Sequence, residues 1–141
     1  MKIVAAAVIA LLMIPGYAAA AGAEGTWLSD DGGLKVHLSY CGGKLCGKVV
    51  WLNEPIDRST GKPKTDARNP DPAKRVRPLI GLKVVNGFKP YGRNEWSGTI
   101  YNADDGRNYK AYLKLEDERT ARLQGCVFAV LCRSHTWRRV N

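Results

Sequence analysis

Histidine is scarce in this sequence, and recognisable catalytic motifs are lacking. Only His37 and His135 occur, and no serine or threonine lies in a known nucleophile motif. Because an enzyme needs a nucleophile with a base, a carboxylate pair or a metal, we expect no catalytic residue and no cofactor. Seven acidic residues cluster in predicted turns, where carboxylates mainly cap and solvate the chain; they are Asp30, Asp31, Asp104, Asp105, Glu116, Asp117 and Glu118.

Long apolar runs are also scarce. The run Ile3–Ile14 has twelve residues, and a helix of that length is too short to cross a hydrocarbon core of ~30 Å. A lysine precedes it, Pro15-Gly16 ends it and small residues follow, which is the pattern of a secretory signal peptide. We therefore predict a signal peptide at 1–23, export and no transmembrane span. Cleavage could follow Ala20 or Ala23, and the second position is favoured.

The first two cysteines predict a local disulfide. An exported chain meets an oxidising compartment, where thiols pair. If Cys41 and Cys46 face each other across a four-residue loop, Val36 lies opposite Trp51 on one apolar face. Directly opposed strand residues have Cα atoms about 4.5–5.5 Å apart, which a disulfide accepts.

The last two cysteines allow the same pairing. If Cys126 faces Cys132, Leu123 lies opposite His135. A four-thiolate zinc site is the alternative, and its cysteine pairs are usually spaced by two to four residues. Here the intervening stretches are four and five residues long. We therefore expect two disulfides and no metal.

Segments of alternating polarity repeat along the rest of the chain. In "NYKAYLKLE", the alternate residues Tyr109, Ala111, Leu113 and Leu115 share one face, which is the pattern of a half-buried strand. Turn signals such as "CGGKLC", "KPYGRN" and "NADDGRN" separate these segments, and no segment keeps a helical period. Roughly eight short antiparallel strands fit an up-and-down barrel or a sandwich. We predict one all-β domain over 24–141.

One long polar segment, 54–77, interrupts the predicted strands. It contains four prolines and seven basic residues and has little to bury. Loops of this length inside compact domains are usually functional or disordered. We predict a polar flap over one barrel end, with one helical turn after "NPDP"; a disordered excursion is the alternative.

Four blocks of the sequence resemble, in order, a domain-of-unknown-function family (number 2147) of small exported proteins of Gram-negative bacteria. They are "GTWLSDDGGLKVHLSYCGGKLCGKVVWL", "GKPKTDARNPDPAKRVRPLIGL", "GFKPYGRNEWSGTIYNADDGRNYKAYLKL" and "GCVFAVLCRSHTWRRV". The resemblance implies a lipocalin-like (calycin) β-barrel in the periplasm, single, antiparallel and up-and-down. The resemblance does not indicate which reaction, if any, or which ligand belongs to the family. Gly25-Thr26-Trp27 also resembles the lipocalin Gly-x-Trp, whose tryptophan closes the barrel floor beneath an arginine; Arg138 or Arg139 could fill that part.

Large aromatic and basic side chains are the candidates for contacting a ligand. The tryptophans either line a pocket or form the core. The histidine of the last strand could point inward and hold a ligand carboxylate, or be a satisfied core histidine. Basic residues of the flap could attract an anionic group to the barrel mouth, or belong to a solvated loop. The candidate ligand-binding residues are Trp27, Trp51, Trp96, Trp137, His135, Arg75, Arg77 and Arg139.

Net charge and one apolar loop point to a contact surface. The formal charge of +9 indicates either an anionic partner or simply solubility, and no nucleic-acid motif is present. The loop Val127–Leu131 is wholly apolar, and an exposed apolar patch marks a contact site. We expect this loop to fold back and plug a barrel end; contact with lipid, ligand or protein is the alternative.

The sequence thus predicts an exported periplasmic protein that binds a small amphipathic or anionic ligand without transforming it. A binding module for the cell envelope, engaging a polymer, lipid or protein, is the alternative, and an enzyme is the third hypothesis. A hollow interior lined by tryptophans favours the first hypothesis, and a filled barrel with one basic face favours the second.

Overall fold

Eight antiparallel strands form one closed barrel in the computed structural model, which describes residues 22–128 and 130–141. Each strand pairs with the next, and the eighth pairs with the first. The predicted all-β up-and-down barrel is therefore confirmed. The strands are β1 (Gly25–Leu28), β2 (Leu34–Cys41), β3 (Lys44–Leu52), β4 (Lys83–Gly92), β5 (Glu95–Asn102), β6 (Arg107–Leu115), β7 (Thr120–Val127) and β8 (Leu131–Arg139).

The described residues begin close to β1. Most of the predicted signal peptide, residues 1–21, lies outside them. A helix long and apolar enough to cross a membrane is not found among the described residues.

The barrel has two different ends, because alternate connections of an up-and-down barrel lie on the same side. At the closed end, β1 begins, β8 ends and short turns join β2 to β3, β4 to β5 and β6 to β7. The opposite end is called the mouth, and its connections are 29–33, 53–82, 103–106 and the turn that joins β7 to β8. The predicted flap thus emerges at the mouth. It contains one 3-10 turn, Pro72–Lys74, which confirms the predicted helical turn.

Buried side chains from all eight strands pack into one core cluster. The closed half of the barrel is filled: a Cβ added to Gly47 would lie 2.7 Å from Leu38 Cδ2 and 3.0 Å from Val85 Cβ. Each large apolar side chain buried there stabilises the fold by about 1.5–3 kcal/mol. The largest contributors are Trp27, Phe88, Trp96 and Trp137, which are at most 7% exposed.

The hairpin of β2 and β3 is two residues out of the predicted register. The turn Gly42-Gly43 has φ angles of 61° and 78°, as a two-residue type I′ turn requires. Cys41 therefore faces Lys44, and Cys46 faces Ser39. A disulfide still joins Cys41 to Cys46, with their Cα atoms 5.9 Å apart. The predicted disulfide is confirmed, and the predicted register is wrong.

Trp51 lies on the outer surface because a β-bulge interrupts β3. Lys35 faces Trp51 and Val36 faces Val49, so Val50 is an extra residue that locally reorients the strand. Trp51 is 37% exposed, and the Lys35 ammonium lies 4.7 Å from its ring centroid. The prediction that Trp51 lies opposite Val36 on an inward face is wrong, and Trp51 does not line the barrel interior.

The second cysteine pair follows the sequence prediction. Cys126 faces Cys132 and Leu123 faces His135, and the two cysteines form a disulfide. All four cysteines of the chain are therefore disulfide-bonded, and the described part of the chain has no free cysteine. The alternative of a four-thiolate zinc site is wrong, because no thiolate remains to bind the metal.

Candidate binding site at the barrel mouth

The closed end is sealed by Trp27 and Arg139. Trp27 is fully buried, and its indole N–H donates to the Ala23 carbonyl at 2.9 Å. The Arg139 guanidinium stacks on the Trp27 ring, 4.4 Å from its centroid, and donates to the Glu118 carbonyl at 2.7 Å. Of the two arginines expected to cover the tryptophan, Arg139 does so. Arg139 is thus held by the closed end, far from the mouth.

The flap is fixed to the barrel by a buried carboxylate. Asp66 is fully buried. It accepts hydrogen bonds from the Tyr101 hydroxyl at 2.6 Å, the Arg77 guanidinium at 2.7 Å and the Asn69 amide at 2.8 Å. The Nε–H of Arg75 donates to the Asn69 carbonyl at 2.8 Å. Arg75 and Arg77, predicted to meet a ligand, therefore hold the flap together.

The electrostatics of Asp66 favour its charged form. Burial alone would raise the pKa of Asp66, but hydrogen bonds from Tyr101, Arg77 and Asn69 outweigh burial and hold the pKa below its usual value. Burial and the hydrogen bond to Asp66 raise the pKa of Tyr101. At neutral pH the flap is therefore anchored by a carboxylate bonded to a neutral phenol and a cation.

His135 is half-exposed on the mouth side of Trp137 and forms a hydrogen bond with Asp30 rather than a core contact. Its side chain is 48% exposed, and its Nδ1 lies 2.9 Å from Asp30 Oδ2. The loop that carries Asp30 is ordered by Asp31, which accepts hydrogen bonds from the Ser29 hydroxyl at 2.6 Å and the Gly33 amide at 2.8 Å. These bonds lower the pKa of Asp31. The favoured prediction that His135 is a satisfied core histidine is wrong, because its side chain is half-exposed.

Open space lies beside Gly125, in a row of paired residues on β6, β7 and β8 near the mouth. Gly125 faces Ala111 on β6 and Arg133 on β8. Gly125 alternates with the buried Leu123 along β7, so it lies on the inward face. A Cβ added to Gly125 would have no heavy atom within 4 Å. The open space beside Gly125 is called the recess below, and it contrasts with the packed closed half.

Arg133 places a cation on this row. Arg133 lies two residues before His135 on β8, nearer to the mouth, and on the same face of the strand. Its side chain is exposed. Among the described residues Arg133 makes no ion pair. Its guanidinium is thus open to a ligand anion, which Arg can bind through two parallel hydrogen bonds.

The hairpin tip above this row is apolar and exposed. Phe128 is 81% exposed, Val130 85% and Leu131 64%. The disulfide of Cys126 and Cys132 closes the base of the tip. The expectation that this loop plugs a barrel end is wrong, because its described side chains face solvent. The apolar tip, defined as residues 127, 128, 130 and 131, instead extends the recess outward.

A separate shallow cleft of about 320 Å³ lies on the outer face of β2 and β3. It is bordered by the Cys41–Cys46 disulfide and by Lys48 and Lys83. None of the four tryptophans lines it. This cleft is cationic and open to solvent, and it is not the tryptophan-lined pocket that was one of the two interpretations of the sequence.

The structure therefore separates the predicted site residues. Trp27, Trp96 and Trp137 pack in the closed half, Arg75 and Arg77 hold the flap, and His135 lies in the row of β8 side chains that leads to the mouth. Sequence reasoning missed Arg133, Gly125 and Asp30 as its neighbours. Arg133, His135 and the inward Trp137 are spaced by two residues along β8, so they share one face of the strand. This spacing could have identified Arg133 as a neighbour of His135 in the sequence.

Comparison with known proteins agrees with this architecture. The family model described as "Uncharacterized protein conserved in bacteria (DUF2147)" matches residues 25–139. A comparison with curated proteins found no match. A solved structure, protein HP1028 from the human pathogen Helicobacter pylori, described as belonging to the lipocalin family, is similar with a TM-score of 0.71 and 19% identity, covering 84% of this chain and 82% of that chain. The chain belongs to the DUF2147 family, and its fold is a lipocalin-like barrel.

Proposed function

We propose that this protein binds a small amphipathic anion at the barrel mouth and releases it unchanged, acting in the periplasm after export. Eight-stranded barrels of the lipocalin kind are just wide enough to hold one small ligand. The observation that carries the proposal is the open space beside Gly125, which faces Arg133 across the β7–β8 pair and lies near an exposed apolar tip.

The ligand would occupy the mouth rather than the full depth of the barrel. Trp27, Phe88, Trp96 and Trp137 fill the closed half, so an apolar chain entering from the mouth has room only as far as the Gly125 row. Side chains of the apolar tip would cover the rest of that chain. This geometry favours a short or partly inserted ligand.

Charge at the mouth orients the ligand. Arg133 offers a guanidinium without an ion-pair partner among the described residues. His135 is already engaged by Asp30 at 2.9 Å, and this pair would keep the imidazole beside the arginine. A carboxylate or phosphate would therefore bind Arg133 directly, with a charge-assisted hydrogen bond contributing about 1.5–3 kcal/mol.

Calorimetric titration with sodium laurate tests this proposal. We expect the wild-type protein to bind laurate and Arg133→Gln to bind it at least about tenfold more weakly, because the charge-assisted bond is lost. Arg93→Gln is the matched control, since Arg93 lies in the turn between β4 and β5 at the closed end. Uncharged dodecanol should not distinguish Arg133→Gln from the wild type. Equal laurate affinity in Arg133→Gln and Arg93→Gln would contradict the proposal.

A second candidate function is contact with a lipid leaflet, and the exposure of Phe128 and Val130 favours it. Burying each of these side chains would contribute about 1.5–3 kcal/mol. Flotation with phosphatidylglycerol vesicles tests this candidate. The double variant Phe128→Ser, Val130→Ser should lose vesicle binding if the apolar tip contacts lipid. Val140→Ser is the control, because Val140 is exposed near the closed end, and it should keep vesicle binding.

A further inference from the structure

Residues before β1 are built into the closed end of the barrel. Ala23 is fully buried within the core cluster. Its carbonyl accepts the indole N–H of Trp27 at 2.9 Å. Trp27 is itself fully buried, so Ala23 supplies the acceptor that this buried donor requires.

Arg139 binds the same short segment. Its guanidinium donates to the Gly22 carbonyl at 2.7 Å and to the Glu24 carbonyl, while stacking on Trp27. Gly25 lets the chain pass beneath it: the φ angle is +127°, and an added Cβ would lie 2.8 Å from the Arg139 guanidinium. Gly22, Ala23 and Glu24 are therefore part of the folded domain, although they precede its first strand.

Cleavage after Ala23 would damage this arrangement in two ways. The buried Trp27 N–H would lose its acceptor, which is costly for a group that water cannot reach. The new α-ammonium of Glu24 would also lie next to the Arg139 guanidinium, and two like charges in contact repel each other.

We propose that the signal peptide is removed after Ala20, so that the mature chain begins at Ala21 and keeps Gly22 and Ala23. Ala18 and Ala20 provide the small residues that a signal peptidase needs before the cut. This inference rests on the export that the proposed function includes. It moves the processing position upstream of the one favoured from the sequence.

The intact mass of the protein released from the periplasm of a Gram-negative host tests the processing position. A chain starting at Ala21 supports the proposal, and a chain starting at Glu24 overturns it. A periplasmic chain that keeps Met1 overturns it as well, whereas recovery of the protein only in the cytoplasmic fraction would contradict the export on which the proposed function rests. Ala21→Leu discriminates further: it removes a small residue needed for a cut after Ala23 but not for one after Ala20, so processing after Ala20 should continue.

Stability of defined chains gives an independent readout. Chains beginning at Ala21, Gly22 and Glu24 would be purified without the signal peptide and compared by thermal unfolding and tryptophan emission. The Gly22 chain also places its α-ammonium near Arg139, which binds the Gly22 carbonyl, so the comparison of the Gly22 and Glu24 chains isolates the loss of Ala23. We expect the Glu24 chain to melt about 4 °C lower or more than the Gly22 chain, with Trp27 more accessible to a quencher. Equal melting of the Glu24 and Gly22 chains would overturn the role assigned to Ala23.

Discussion

Replacing Gly125 with valine would fill the recess beside Arg133 without straining the barrel. A Cβ at this position has no heavy atom within 4 Å, and Gly125 is not among the described residues with positive φ angles. Glycine also loses more conformational freedom on folding than valine does. We therefore expect Gly125→Val to raise the free energy of unfolding by about 0.5–1 kcal/mol.

The same substitution should weaken laurate binding. The valine methyl groups would occupy the volume where two or three methylene groups of the ligand make apolar contacts, at about 0.8 kcal/mol each. A loss of about 2 kcal/mol corresponds to an affinity about thirtyfold lower. Laurate titration together with thermal unfolding measures both effects, and Gly125→Ala, which adds one methyl group, should give an intermediate affinity. A stable Gly125→Val protein with unchanged laurate affinity would refute the recess as the binding site.

Three further predictions concern the structural parts of the barrel. Asp66→Ala should lower the free energy of unfolding by about 3 kcal/mol at pH 7, because it leaves buried hydrogen-bonding groups without their acceptor. The folded-state pKa of Asp66 is lowered, so the stability that its ionised form contributes is present above about pH 4 and is lost as pH falls through the folded pKa. In urea unfolding, the stability difference between the wild type and Asp66→Ala should therefore be smaller at pH 3 than at pH 7. An equal stability difference at both pH values would argue against an ionised anchor. The double variant Cys126→Ser, Cys132→Ser should lose about 2 kcal/mol in urea unfolding under non-reducing conditions, and unchanged stability would mean that the staple does not restrain the hairpin. Trp51→Ala should cost less than about 1 kcal/mol and Trp96→Ala about 3–5 kcal/mol, since one ring is on the surface and the other is in the core; a reversed order in thermal unfolding would contradict the observed bulge.

The barrel and one of its hairpins could be predicted from the sequence because local patterns determine them. Alternating polarity gave the strands, and the pairing of Cys126 with Cys132 placed Leu123 opposite His135, as observed. The first hairpin was misread because its double glycine closes the turn in two residues. The bulge at Val50 could not be predicted, because Val49, Val50 and Trp51 are all apolar and their pattern does not indicate which of them faces inward.

Much of the site could not be predicted because it depends on contacts between distant parts of the chain. Asp66 resembles the other acidic residues of the flap, and only the fold brings it to Tyr101, 35 residues away. Likewise, Asp30 reaches His135 across 105 residues. The exposure of the apolar tip also depends on the fold, because the pairing of β7 with β8 and the disulfide at the base of the tip hold Phe128 and Val130 outside the core.

Amide chemical shifts during a titration with sodium laurate test the location of the binding site most directly. The largest chemical-shift changes should fall on Gly125, Arg133 and His135, and the amides around Trp27 at the closed end should change little. Changes centred instead on the outer cleft near Lys48, or no saturable change at any residue, would contradict binding at the barrel mouth.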